Sequence, residues 1–123
     1  MTTRRAVIVG CLLALAGAGM AEAHARLVLS APAEGAVLPL APGRLVLSFS
    51  EVPRLVGSGV KLTGPGGRAM LLTPLKADAR DPRVISAPMP NNAGPGAYRV
   101  EWRALAGGGH RTQGTFSFTV KGR

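Results

Sequence analysis

Successive side chains of an extended strand point to opposite faces of a sheet, so a half-buried strand alternates apolar and polar residues. Residues 97–103, Ala97-Tyr98-Arg99-Val100-Glu101-Trp102-Arg103, put Tyr98, Val100 and Trp102 on one face and three charges on the other. Residues 115–120 repeat the pattern with Phe116, Phe118 and Val120, and residues 44–50 carry it with Leu45, Leu47 and Phe49. An amphipathic helix would need apolar residues three and four apart, and no stretch of useful length supplies them. Residues 25–30, 59–63, 70–74 and 84–88 are weaker strand candidates. Turn chemistry divides these runs at Pro32-Ala33-Glu34-Gly35, Gly64-Pro65-Gly66-Gly67 and Asn91-Asn92-Ala93-Gly94-Pro95-Gly96. The chain has 17 Gly and 10 Pro in 123 residues, a density that suits a turn-rich β domain and opposes a helical bundle. The pattern predicts one all-β domain, an antiparallel β-sandwich of about seven strands. Trp102 and Tyr98 belong to its core, with Met70 and Met89 as core fillers.

The first 23 residues have a different logic. Arg4 and Arg5 precede residues 6–20, an uncharged run, and Ala21-Glu22-Ala23 supplies the small-x-small pattern that a signal peptidase cuts. The run is about fifteen residues, short for a bilayer core of about 30 Å, and no stop-transfer charges follow it. It predicts a cleaved signal peptide over residues 1–23, a mature domain over 24–123, and export to the periplasm by the Sec route. Thr3-Arg4-Arg5 also resembles a twin-arginine signal. Cys11 follows Val9-Gly10, a poor lipobox, and a single cysteine excludes both an intrachain disulfide and a cysteine zinc cluster. Removing residues 1–23 takes away Arg4, Arg5 and Glu22, leaving 100 residues with 13 basic and 5 acidic side chains, a charge of +8. No stable membrane insertion is expected after cleavage.

Cleavage after Ala23 would make His24 the first residue. An N-terminal histidine is a chelate in itself, because its α-amine and its imidazole Nδ1 can hold one ion together. The only other histidine, His110, follows Gly107-Gly108-Gly109 in the connection between two predicted strands, so it should emerge at a sheet end. If both lie at the same end, they form a T-shaped set of three nitrogens, which suits Cu(II) better than tetrahedral Zn(II). Taken singly, each histidine could equally be an exposed side chain with no chemical role.

Several segments together resemble the CopC-type periplasmic copper-binding proteins. They are His24-Ala25-Arg26-Leu27 with Ser30-Ala31-Pro32-Ala33-Glu34-Gly35, Leu47-Ser48-Phe49-Ser50-Glu51, Gly96 through Arg103, and Gly109-His110-Arg111-Thr112-Gln113-Gly114-Thr115-Phe116-Ser117-Phe118. The likeness runs in order over essentially all of residues 24–123. It implies a small immunoglobulin-like β-sandwich or barrel binding one Cu(II) per chain in a histidine brace made by His24 and His110. Glu51 corresponds to the family's acidic residue near the site, an outer partner or a fourth ligand. Tight-binding members place an Asp two residues before the second histidine, where this chain has Gly108. The family's methionine-rich Cu(I) segment is reduced to Met70, so no Cu(I) site is expected. The resemblance implies a monomeric copper carrier that delivers its ion to an inner-membrane importer, and no enzymatic activity.

The charge sets limits of its own. A basic domain invites a nucleic-acid reading, but export and the lack of aromatic residues among the basic ones oppose it. Anionic lipid head groups or an acidic partner fit better. Positive charge also repels metal cations, so any copper affinity must come from the chelate. Two other readings fit the same residues: an interaction module that kept the fold and lost the metal, and a copper monooxygenase acting on polysaccharides. The chain is short, and poor in aromatic residues, for the latter.

Overall fold

A computed structural model describes residues 25–122; the segment expected to be a signal peptide and His24 lie outside the described residues. Nine strands follow in order: β1 (Leu27–Ala31), β2 (Val37–Leu38), β3 (Arg44–Phe49), β4 (Pro53–Thr63), β5 (Ala69–Leu71), β6 (Lys76–Ala77), β7 (Val84–Pro88), β8 (Gly96–Ala106) and β9 (Arg111–Val120). A single 3₁₀ turn at Pro65–Gly67 separates β4 from β5. One sheet has the order β1-β3-β7-β6 and the other β2-β9-β8-β4-β5. The architecture is the expected immunoglobulin-like sandwich, with the core between the two sheets.

The alternation in the sequence becomes the layering of the molecule. Tyr98, Val100, Trp102, Ala104 and Ala106 of β8 are all buried, as are Phe116, Phe118 and Val120 of β9. They meet Leu45, Leu47 and Phe49 of β3 and Ile85 and Ala87 of β7 from the other sheet. Trp102 touches Phe49 across the sandwich, edge to face, with ring centroids 5.3 Å apart. Tyr98 stacks on Phe118 at 5.2 Å, and its hydroxyl donates to the Gly94 carbonyl four residues upstream, the tyrosine-corner bond seen in immunoglobulin-like sandwiches. Met89 is buried and Met70 half-buried against the core, as core fillers should be.

Three features depart from the sequence reading. β2 and β6 are two residues each, too short to show a period. β2 pairs with β9 in parallel, so the larger sheet is mixed where an all-antiparallel one was expected. β4 begins at Pro53, although only residues 59–63 carried a strand pattern. The reason is a shift in the β4–β8 register between Arg54 and Gly59, which breaks the alternation. Gly57 sits in this bulge at φ +95°, and a Cβ there would lie 2.6 Å from Leu105 Cδ2.

Gly114 clears room for the single tryptophan. It pairs with Trp102, and a Cβ at this position would lie 2.7 Å from Cζ2 and 2.9 Å from Cε2 of the indole. The ring is fixed between two sheets and cannot yield as a flexible chain end would. Gly114→Ala is therefore expected to cost about 1–3 kcal/mol, read as a lower urea midpoint. Gly43→Ala, with nothing within 4 Å of the added carbon, should stay within about 0.5 kcal/mol of the parent. Equal midpoints for the two variants would show that the notch is not tight.

Candidate functional site

The β8–β9 connection is residues 107–110, closed at its base by backbone bonds. Ala106 N–H donates to the His110 carbonyl at 2.9 Å, and Gly109 N–H donates to the Ala106 carbonyl at 3.0 Å. Gly109 supplies the left-handed conformation the reversal needs, at φ +88°. His110 thus stands exposed at one end of the larger sheet, where the glycine run placed it. A Cβ at Gly108 would lie 3.5 Å from His110 Cδ2, in ordinary contact with the imidazole and with nothing closer.

The start of the described chain comes to the same end. Thr112 Oγ1 donates to the Ala25 carbonyl at 2.7 Å, and Ala25 is fully buried. Arg26 N–H donates to Ser50 Oγ at 2.9 Å, while Ser50 N–H donates to the Arg26 carbonyl at 2.8 Å. Ser50 begins the crossover from β3 to β4, and the next residue is the half-buried Glu51. Pro53, where the crossover ends, pairs with Ala106 at the base of the His110 hairpin. The structure therefore gathers the β1 entrance, the Glu51 crossover and the His110 hairpin. His24, the remaining member of the expected set, lies outside the described residues.

Among the described residues, no group of three His, Cys, Asp or Glu side chains is placed to hold a metal ion. Exposed Arg26, Arg54 and Arg111 lie on the converging segments, with Glu51 the one acid in them. The local field thus disfavours a cation held by attraction alone. Two residues that matter here, Thr112 and Ser50, were missed by sequence reasoning. Thr112 carried a usable signal: with Gly114, Phe116, Phe118 and Val120 it falls on the inward face of β9, where a hydroxyl requires a partner.

Comparison with known proteins gives this end of the molecule a context. The CopC domain model matches residues 27–121. The chain is 35% identical over 99 residues to Protein YobA of Escherichia coli K12, covering 80% of each chain. It is 37% identical over 109 residues to Copper resistance protein C of Pseudomonas syringae pv. tomato, covering 83% of this chain and 84% of the relative. The crystal structure of PcoC, a methionine-rich copper resistance protein from Escherichia coli, superposes with a TM-score of 0.68 at 31% identity, covering 80% of this chain and all of PcoC. The fold, the order of the motifs and the relatives agree: this chain belongs to the CopC domain family.

Proposed function

We propose that the mature protein is a periplasmic Cu(II) carrier that holds one ion in a brace of three nitrogens, the His24 amine and imidazole and the His110 imidazole. The signal over residues 1–23 would direct export, and its removal after Ala23 would create the amine ligand. The observation that carries the reading is the 2.7 Å bond from Thr112 to the Ala25 carbonyl. It fixes the residue next to His24 beside the strand that begins one residue after His110. The Arg26–Ser50 exchange brings Glu51 to the same end, as an outer hydrogen-bond partner or a fourth ligand. The ion is cargo, and the receiver is expected to be an inner-membrane copper importer.

Gly108 favours a second reading, an interaction module that retains the sandwich and has lost the metal. A carboxylate two residues before His110 would offset the ion's charge and fill a coordination position, and glycine does neither. The carrier reading therefore predicts weaker or faster-exchanging copper than in relatives with an Asp there.

Titration of Cu(II) into protein beginning at His24 should give a one-to-one complex with an axial, nitrogen-rich electron paramagnetic resonance spectrum. One extra residue ahead of His24, or His110→Ala, should abolish it; weak binding indifferent to both changes would favour the interaction module. Amine and imidazole must shed protons to ligate, so the complex should dissociate as the solution is made mildly acidic. Gly108→Asp should tighten binding by about tenfold, since a side chain there meets the imidazole without a clash. Thr112→Val should weaken copper binding several-fold and cost about 1 kcal/mol of stability, because the Ala25 carbonyl loses its donor. Unchanged affinity in that variant would show that the tether does not organise the site.

A further inference from the structure

The outward face of the larger sheet has a composition that neither the core nor the copper reading uses. Directly opposed residues on neighbouring strands share a face, so the register assigns the outer surface row by row. One row is Arg54, Leu105 and Arg111; the next holds Arg103 and Gln113; the next Leu71, Lys61, Glu101 and Thr115; and the last Thr63, Arg99 and Ser117. All five cations in these rows are exposed. They meet one carboxylate, Glu101, whose nearest cation is Arg99 at a loose 3.8 Å. The guanidinium of Arg103 lies over Gly59, with Nη2 2.7 Å from where a Cβ would stand.

Apolar side chains project from the margin of this plane. The β4 bulge leaves Val56 89% exposed and Leu55 40%, and Leu71 on edge strand β5 is 64% exposed. These are not scattered: Leu55, Val56, Leu71 and Arg103 line one groove, and Leu71 and Arg103 also line the shallow depression that contains Lys61 and Arg99. The side of the smaller sheet also exposes aliphatic side chains, Val28 and Leu29 of β1 at 66% each, and differs in how its charges are paired. There Arg83 forks onto Asp81 at 3.0 and 3.1 Å, Arg44 donates to Ser86, and Asp78 adds a second carboxylate.

We infer that the outer face of β5-β4-β8-β9 docks on an anionic phospholipid surface, with Lys61, Arg99 and Arg103 facing the head groups and Val56 and Leu55 entering the interface. An acidic polypeptide would account for the cations alone. A cationic plane bordered by exposed aliphatic side chains matches a bilayer surface, which offers anionic groups above hydrocarbon. Such docking would hold a soluble domain at the membrane without a spanning segment, and it does not depend on copper.

The test is co-sedimentation of the mature protein with vesicles of phosphatidylcholine alone or mixed equally with phosphatidylglycerol, at low and high salt. Binding to the mixed vesicles, absent from the neutral ones and weakened by salt, is expected. Replacing Lys61, Arg99 and Arg103 together by Gln should weaken it by about a hundredfold, on the basis of about fivefold for each basic residue near an anionic surface. Val56→Asp should weaken it by about tenfold with all cations intact. Replacing Arg44, Lys76 and Arg80 by Gln, on the side of the smaller sheet, should change it by less than about threefold. Equal losses from the two triple variants, or no preference for phosphatidylglycerol, would overturn the proposal. So would full competition by soluble polyglutamate with Val56→Asp unaffected, which would mark an acidic polypeptide as the partner. Hydrogen exchange on the unmutated protein gives an answer free of folding defects: vesicles should protect β4 and β5 and leave β3 and β7 unchanged, and the reverse would refute the orientation.

Discussion

Ten consecutive pairings between β8 and β9, from Gly96 opposite Val120 to Leu105 opposite Arg111, are the constraint from which the rest of this molecule follows. The ladder is antiparallel and local, joined by a four-residue turn, so it forms with little loss of chain entropy. Once it exists, strict alternation assigns every side chain on it. One face presents Tyr98, Val100, Trp102, Phe116 and Phe118, and a second sheet must cover them. The other face presents Arg99, Arg103 and Arg111, and must remain in solvent or meet an anion. The turn that closes the ladder carries His110. Core, charged surface and candidate ligand are thus three outcomes of one register, and a shift by one residue would exchange the first two.

The β1 end adds a long-range closure to this local frame. The bond between Thr112 and Ala25 links residues 87 positions apart and joins the two sheets, and Ser50, at the end of neighbouring β3, fastens Arg26 within the smaller one. Neither is a charge pair. Both use hydroxyl groups against the backbone, which satisfy the polar groups of a strand entrance without adding charge beside three arginines. A carboxylate could accept from Arg26 N–H but could not donate to the Ala25 carbonyl, and it would also draw cations without discrimination.

Strands with a clear period of two were legible in the sequence: β3, β8 and β9 were outlined from alternation alone, and Tyr98, Trp102, Phe116 and Phe118 fell inward as expected. The first half of β4 was not, because the bulge between Arg54 and Gly59 interrupts the very period by which a strand is recognised. β2 and β6 were hidden for another reason. Two residues have no period, and they are strands only because β9 and β7 offer partners. Of the candidate site, the hairpin position of His110 could be read from its glycines, and the shared end with β1 was a topological expectation that the Thr112 bond bears out for Ala25. The partners of the tethers were not legible: alternation turns Thr112 inward, but which group its hydroxyl meets, and that Ser50 has any role, follows only from what the fold sets opposite them.

Trp102 is the one tryptophan of the chain, and it lies between the sheets against Phe49, under the notch left by Gly114. Its strand reaches the base of the His110 hairpin four residues later, at Ala106. The indole is therefore an intrinsic fluorophore seated at the junction of the two layers. Its emission reports their separation, free of overlapping signal from a second indole. A paramagnetic ion held at the hairpin end would darken it without any change of structure, whereas opening of the sandwich would wet it and move its emission to longer wavelength. The molecule carries its own means of telling occupancy from unfolding.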